Sequence, residues 1–132
     1  MERRSVNQTV AGIFGAVYLL VGIVGFFVTG FDKFATYNTD KLLGFQLNPL
    51  HNIVHLLVGA VLLYAATRGV AAARSANIAV GGTYLVVGII GLFILDSSAN
   101  ILALNSADNV LHLVSALALL GAGLAADKDV RR

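Results

Sequence analysis

Cysteine is absent from this chain of 132 residues. That excludes a disulfide framework, a thiolate metal site, an iron–sulfur cluster and covalently attached c-type haem. A single proline and no low-complexity stretch exclude a disordered chain. Charge is also scarce: Asp, Glu, Lys and Arg make up 12 % of the residues, against about 25 % in a soluble domain. The net charge is only +2 despite a pI near 9.2. The basic residues stand in short clusters at the ends of apolar segments, which is the pattern of membrane flanks; nucleic acid is not an expected partner. No Walker motif, dinucleotide fingerprint, His-Glu-x-x-His or Gly-x-Ser-x-Gly is present, so no catalytic motif is found.

What the chain has is hydrophobicity: 58 % of residues, with a mean hydropathy of +0.83. Its length allows one domain. Four apolar segments stand out, at about Val10 to Phe31, Leu50 to Thr67, Ile78 to Leu95 and Asn109 to Ala126. At about 1.5 Å per residue each can cross a hydrocarbon core of about 30 Å, the shortest only just. The first reads as a retained helix and not a cleaved signal peptide, because it is too long for an h-region and Phe31 runs into Asp32 with no small-residue cleavage site. The expected fold class is all-α: one integral membrane domain over 1–132, a bundle of four transmembrane helices.

The two halves resemble each other. Gly15-x-x-Tyr18-Leu19-x-Val21-Gly22-Ile23-x-Gly25-x-Phe27 returns at an offset of 66 as Gly81-x-x-Tyr84-Leu85-x-Val87-Gly88-Ile89-x-Gly91-x-Phe93. Leu47-Asn48-x3-Asn52-x2-His55-Leu56 returns at an offset of 57 as Leu104-Asn105-x3-Asn109-x2-His112-Leu113. The unit is a two-helix hairpin used twice, over 10–67 and 78–126, in the same orientation: a parallel repeat about an axis along the membrane normal. Gly15, Gly22, Gly25, Gly81, Gly88 and Gly91 are expected to be packing residues, since small side chains let transmembrane backbones approach closely.

Leu50-His51-Asn52-x-x-His55-Leu56-Leu57-x-Gly59, together with Asn105-x-Ala107-Asp108-Asn109-x-x-His112-Leu113, resembles a family of small bacterial membrane proteins common in actinobacteria, the domain of unknown function family 4383. The resemblance spans about Val10 to Leu124. It implies a four-helix integral membrane protein and assigns no biochemical role.

Asn48-Pro49 reads as an N-cap followed by proline at N1, and Asn105 or Ser106 as the cap of the fourth helix. His51, Asn52, His55, Asp108, Asn109 and His112 then fall in the first turns of the second and fourth helices, on stripes facing the bundle interior. The leading expectation is a structural or accessory membrane protein in which this Asn/His cluster clamps the helices, with the lipid bilayer and a second copy or larger membrane partner as its partners. No cofactor is required by that reading. One alternative is a metal site on His51, His55, Asp108 and His112, or a b-type haem between His55 and His112. Another is a pocket for a lipid headgroup or quinone, or a channel subunit.

Seven of the nine Lys and Arg residues are Arg3, Arg4, Arg68, Arg74, Lys128, Arg131 and Arg132; only Lys33 and Lys41 fall on the opposite side. The positive-inside rule therefore expects a cell-membrane protein with both termini cytoplasmic. A reporter fused after Arg132 should read cytoplasmic and one inserted at Thr39 external; a cytoplasmic signal at Thr39 would reverse the orientation.

Overall fold

The computed structural model describes residues 5–129; Arg3, Arg4, Arg131 and Arg132 of the charge count lie outside them. The order is α1 (Val6–Thr29), a short hairpin of β1 (Lys41–Leu42) and β2 (Phe45–Gln46), α2 (Pro49–Thr67), α3 (Val70–Ile94) and α4 (Ser106–Ala125). All four helices are long and apolar enough to cross a membrane. This is a multi-pass, all-α membrane protein. The β-hairpin lies at one end of the bundle, the hairpin end; the opposite end is the terminal end.

Local chemistry sets the helix limits, and it extends most of the apolar segments. Ser5 caps α1 with a reciprocal contact to Gln8, so α1 begins four residues before Val10; it stops at Thr29, where Gly30 takes φ +60°. Asn48 caps α2 with Pro49 at its first position. Asn105, not Ser106, caps α4, with Asp108 closing the capping box, so α4 starts before Asn109. The largest difference is α3, which begins at Val70 and not at Ile78. The connection from α2 is only Arg68 and Gly69, and Gly69 turns it at φ +115°, a conformation open to glycine. Arg74 therefore lies within α3, not in a loop. The polar residues that end the apolar segment do not end the helix, because each finds a partner. Arg74 Nε donates to the carbonyl of Gly123 at 3.1 Å, a group of the last turn of α4 with no intrahelical donor. Asn77 donates through Nδ2 to Asn7 O and Oδ1 at 3.1 and 3.0 Å.

Asn7 also ties the terminal end together: its backbone N–H and its Nδ2 both donate to Asp127 Oδ2 at 2.9 Å. The Asn7 backbone N–H holds the Asp127 carboxyl below its ordinary pKa. At the hairpin end, β1 and β2 pair antiparallel, Lys41 with Gln46 and Leu42 with Phe45. The two-residue turn places Leu43 and Gly44 at φ +53° and +88°, the positive-φ pair that a tight hairpin of this length favours.

Exposure is inverted relative to a soluble protein. Large apolar side chains such as Phe27, Phe93 and Leu117 point outward, while Asn7, Asn52, Asn77, His51, His55 and His112 are buried. Lipid gives apolar side chains no reason to turn inward, so small residues and polar contacts occupy the helix interfaces. The tightest pairings are α1 with α2 and α3 with α4. Along the first seam, a Cβ at Gly15 would lie 2.8 Å from Leu63 N, and one at Gly22 2.8 Å from Leu56 Cγ. Along the second, a Cβ at Gly81 would lie 2.9 Å from Leu120 N, and one at Gly88 2.7 Å from Leu113 Cδ2. At Gly25 and Gly91 it would overlap the amides of Asn52 and Asn109.

Gly22→Leu and Gly88→Leu should each lower stability by about 1–3 kcal/mol through overpacking, whereas Gly12→Leu, where a Cβ meets nothing within 4 Å, should not. Unfolding in detergent checks this; equal melting of all three variants and the parent would show that the seams are not close contacts.

Candidate functional site

α2 and α4 begin at the hairpin end, each capped by an asparagine, so their first two turns carry the polar stripes into the bundle side by side. Asn48 Oδ1 accepts from His51 N at 2.9 Å and its Nδ2 donates to the carbonyls of Thr36 and Ile101. Asn105 Oδ1 accepts from Asp108 N, and its Nδ2 donates to Gly44 O at 3.0 Å. Each cap thus reaches a loop carbonyl belonging to the other half of the chain.

The six residues of the Asn/His cluster divide into three sets. Asn52 and Asn109 turn away from the centre into the seams of their own hairpins. Asn52 lies against Gly25 and donates to Thr29 Oγ1 at 2.9 Å. Asn109 lies against Gly91, but neither end of its amide has a hydrogen-bond partner. At the offset of 66, Leu95 stands where the first half has Thr29. Asp108 closes the α4 capping box, accepting from Asn105 N through Oδ2 at 3.0 Å; its Oδ1 is buried and unpaired. The three histidines come together. Ring centroids are 4.4 Å apart for His51 and His55, 5.6 Å for His51 and His112 and 6.2 Å for His55 and His112. One nitrogen from each lies within 4.8 Å of the others. Asp108 is not in that group, so the structure assembles three donors and not the four of the expected set.

The histidines are 1–2 % exposed, and five of their six ring nitrogens have no hydrogen-bond partner. The exception is informative. His51 Nδ1 lies 2.9 Å from Leu102 O. A carbonyl only accepts, so Nδ1 carries the proton and Nε2 is the nitrogen left with a lone pair. Leu47, Ala103 and Leu104, all buried, cover this end.

Two tyrosines flank the histidines, and sequence reasoning did not place them in the site. Tyr18 lies 5.1 Å from His55, and Tyr84 stacks on His112 at 5.0 Å with an interplanar angle of 6°; the two tyrosine rings are 5.1 Å apart. The only available signal was their recurrence at the offset of 66. Their hydroxyls differ. Tyr18 Oη shares a 2.5 Å hydrogen bond with Ser115 Oγ, while Tyr84 Oη, also buried, has no partner. The position equivalent to Ser115 at the offset of 57 is Val58, which cannot supply one.

A cavity of about 150 Å³ adjoins the cluster, lined by His51, His55, His112 and Tyr84 with valines of α2 and α3. Its volume is that of an apolar cavity that holds benzene.

A four-helix membrane bundle with three convergent, buried imidazoles is the class that fold and site define. The chain belongs to the family described as Domain of unknown function (DUF4383), whose model matches residues 8–125. No curated protein and no solved structure was found to match it.

Ser115→Ala should destabilise the protein by about 1–3 kcal/mol by leaving the Tyr18 hydroxyl buried and unpaired, and adding Tyr18→Phe should recover most of that loss. Denaturant unfolding in detergent checks both; a Ser115→Ala variant as stable as the parent would place the hydroxyl pair outside the core.

Proposed function

We propose that this protein binds a metal ion within the bilayer on His51, His55 and His112, in a cell membrane with both termini on the cytoplasmic side. One observation carries the reading: five buried ring nitrogens without a hydrogen-bond partner, on three rings that converge. Buried polar groups are normally paired, and an unpaired set calls for an ion or water. In a hydrogen-bonded clamp, the leading expectation from sequence, each asparagine holds a histidine or a loop carbonyl of the other half; Asn48 and Asn105 do reach such carbonyls, but Asn52 and Asn109 lie in the glycine seams and leave the five ring nitrogens without an amide partner. The donor set is all imidazole, which suits zinc, copper, nickel or iron and not magnesium or calcium. The Leu102 carbonyl orients His51 as outer-shell partners orient metal-binding histidines. A bound ion would draw the three nitrogens, now within 4.8 Å of one another, to the roughly 2.0–2.1 Å of a metal–imidazole bond. A site with three protein ligands would leave a coordination position for a small ligand. The orientation is supported by Arg68, Arg74 and Lys128 at the terminal end against Lys33 and Lys41 at the other.

The test is equilibrium titration of detergent-solubilised protein, stripped with a chelator, with Zn²⁺ and with Cu⁺ or Cu²⁺. One ion should bind per chain, and at an ion concentration of about 100 Kd stability should rise by about 2.7 kcal/mol. His51→Ala, His55→Ala and His112→Ala should each weaken binding by more than the 10–100-fold typical of losing an outer-shell partner, while Asp108→Asn should leave the stoichiometry at one. No saturable binding, or binding indifferent to the three replacements, would overturn the proposal.

A further inference from the structure

The cavity beside the histidines, between α2 and α3, faces hydrocarbon: its exposed lining residues, Ala79 and Thr83, stand near the middle of α3. A water-soluble solute must therefore come from the hairpin end, where two segments cover the rings. They are held very differently. The connection from α3 to α4 is bolted down. Asn100 donates to the carbonyls of Leu95 and Leu104 and accepts from Leu104 N. Ile101 O accepts from Asn48, and Leu102 O holds His51 Nδ1. Lifting this segment would disturb the site it covers, since one of its carbonyls orients a ring.

The tip of the β-hairpin has no such ties. Among the described residues, one side-chain hydrogen bond joins residues 41–45 to a helix, from Asn105 Nδ2 to Gly44 O at 3.0 Å, and it is exposed. Asn105 is the cap of α4, so the tip stands at the surface of the bundle, level with that helix end. None of residues 41–45 is buried. Leu43 is 89 % exposed and takes φ +53°, a left-handed conformation that its side chain disfavours. The base is fixed instead: Gln46 and Leu47 are buried, and Leu47 N donates to Asp40 O at 3.0 Å. Between the tip, α1 and α4 lies an enclosed space of about 180 Å³. Its walls are apolar, Leu42, Leu43 and Phe45 of the tip among them, and its one polar lining residue is His55. Moving the tip takes away three of the walls around His55, at the loss of one exposed hydrogen bond.

We propose that residues 41–45 are a lid over the histidine cluster: the hairpin tip lifts from the gap between α1 and α4 and admits water-soluble solutes from the hairpin end, while the connection from α3 to α4 stays in place. The inference goes beyond the ion site. It concerns access to the rings, stands on how the two covers are held, and needs no metal.

The chain has no cysteine and three histidines, all in the cluster, so thiols can lock the lid and a histidine reagent reads this site alone. Leu42→Cys and Val21→Cys, both on the enclosed space, are bridged by a short reducible thiol cross-linker in the full chain in lipid nanodiscs. Carbethoxylation of the metal-free protein by diethyl pyrocarbonate is then followed at each histidine. Locking should slow modification of His55 by about tenfold or more, as expected where access needs local opening, and cleaving the bridge should restore it. Asn105→Ser keeps a capping oxygen and drops the bond to Gly44. It should raise the rate several-fold, and the lock should cancel that rise, which a general loss of stability would not allow. Thr83→Phe, on the α2/α3 cavity, should leave the rate unchanged. Zn²⁺ loading of the same samples should slow with the lock at unchanged stoichiometry; if no Zn²⁺ binds in any sample the ion site fails, and the modification rates alone decide the lid. Modification indifferent to the lock, or blocked by Thr83→Phe, would show that the rings are reached between α2 and α3 and would overturn the proposal.

Discussion

Between α1 and α2 there is no room for a Cβ at Gly15, Gly22 or Gly25, and between α3 and α4 none at Gly81, Gly88 or Gly91. Those two seams govern the rest of the structure. In a bilayer, apolar side chains gain nothing by leaving lipid, so helices associate through close packing and polar contacts. Glycine supplies the first, and the space it leaves supplies the second: Asn52 and Asn109 fit only because Gly25 and Gly91 have no side chain. With the asparagines drawn into the seams, the next turn of α2 and of α4 points its histidine to the centre. The same seams seat Tyr18 beside His55 and Tyr84 beside His112.

The asymmetry of the centre comes from positions at the offsets of 66 and 57 that carry different residues. Thr29 gives Asn52 a partner, and Leu95 gives Asn109 none. Ser115 satisfies Tyr18, and Val58 leaves Tyr84 free. His51 stands in α2 where α4 has Asp108, so the centre receives three imidazoles while the carboxylate is held in a cap. Unpaired polar groups buried in an apolar bundle lower stability by about 1–3 kcal/mol each. Six such atoms belong to the three histidines and Tyr84; the others are on Asn52, Asn77, Asp108 and Asn109.

Much of this was legible in the sequence and some was not, for physical reasons. The four spans follow from hydropathy. The seam glycines follow from their recurrence in register, and the α2 cap from Asn48-Pro49. The start of α3 was not legible, because Arg74 and Asn77 end an apolar segment without ending a helix; their partners, Gly123 and Asn7, are distant in sequence. The β-hairpin escaped because its turn is Leu43-Gly44 and not the Asn-Gly pair that announces such turns. At the site, helical spacing put both asparagines and all three histidines on inward stripes, but it could not say that the asparagines face their own hairpins and the histidines each other. The difference between Tyr18 and Tyr84 depends on residues 58 and 115, which lie on other helices and become neighbours only in the folded bundle.

In the proposed site the three imidazoles form one ligand set. X-ray absorption at the metal edge of zinc- or copper-loaded protein measures this directly. Three imidazole nitrogens are expected at about 2.0–2.1 Å, falling to two in His112→Ala. A first shell of oxygen scatterers alone, unchanged by that substitution, would contradict it.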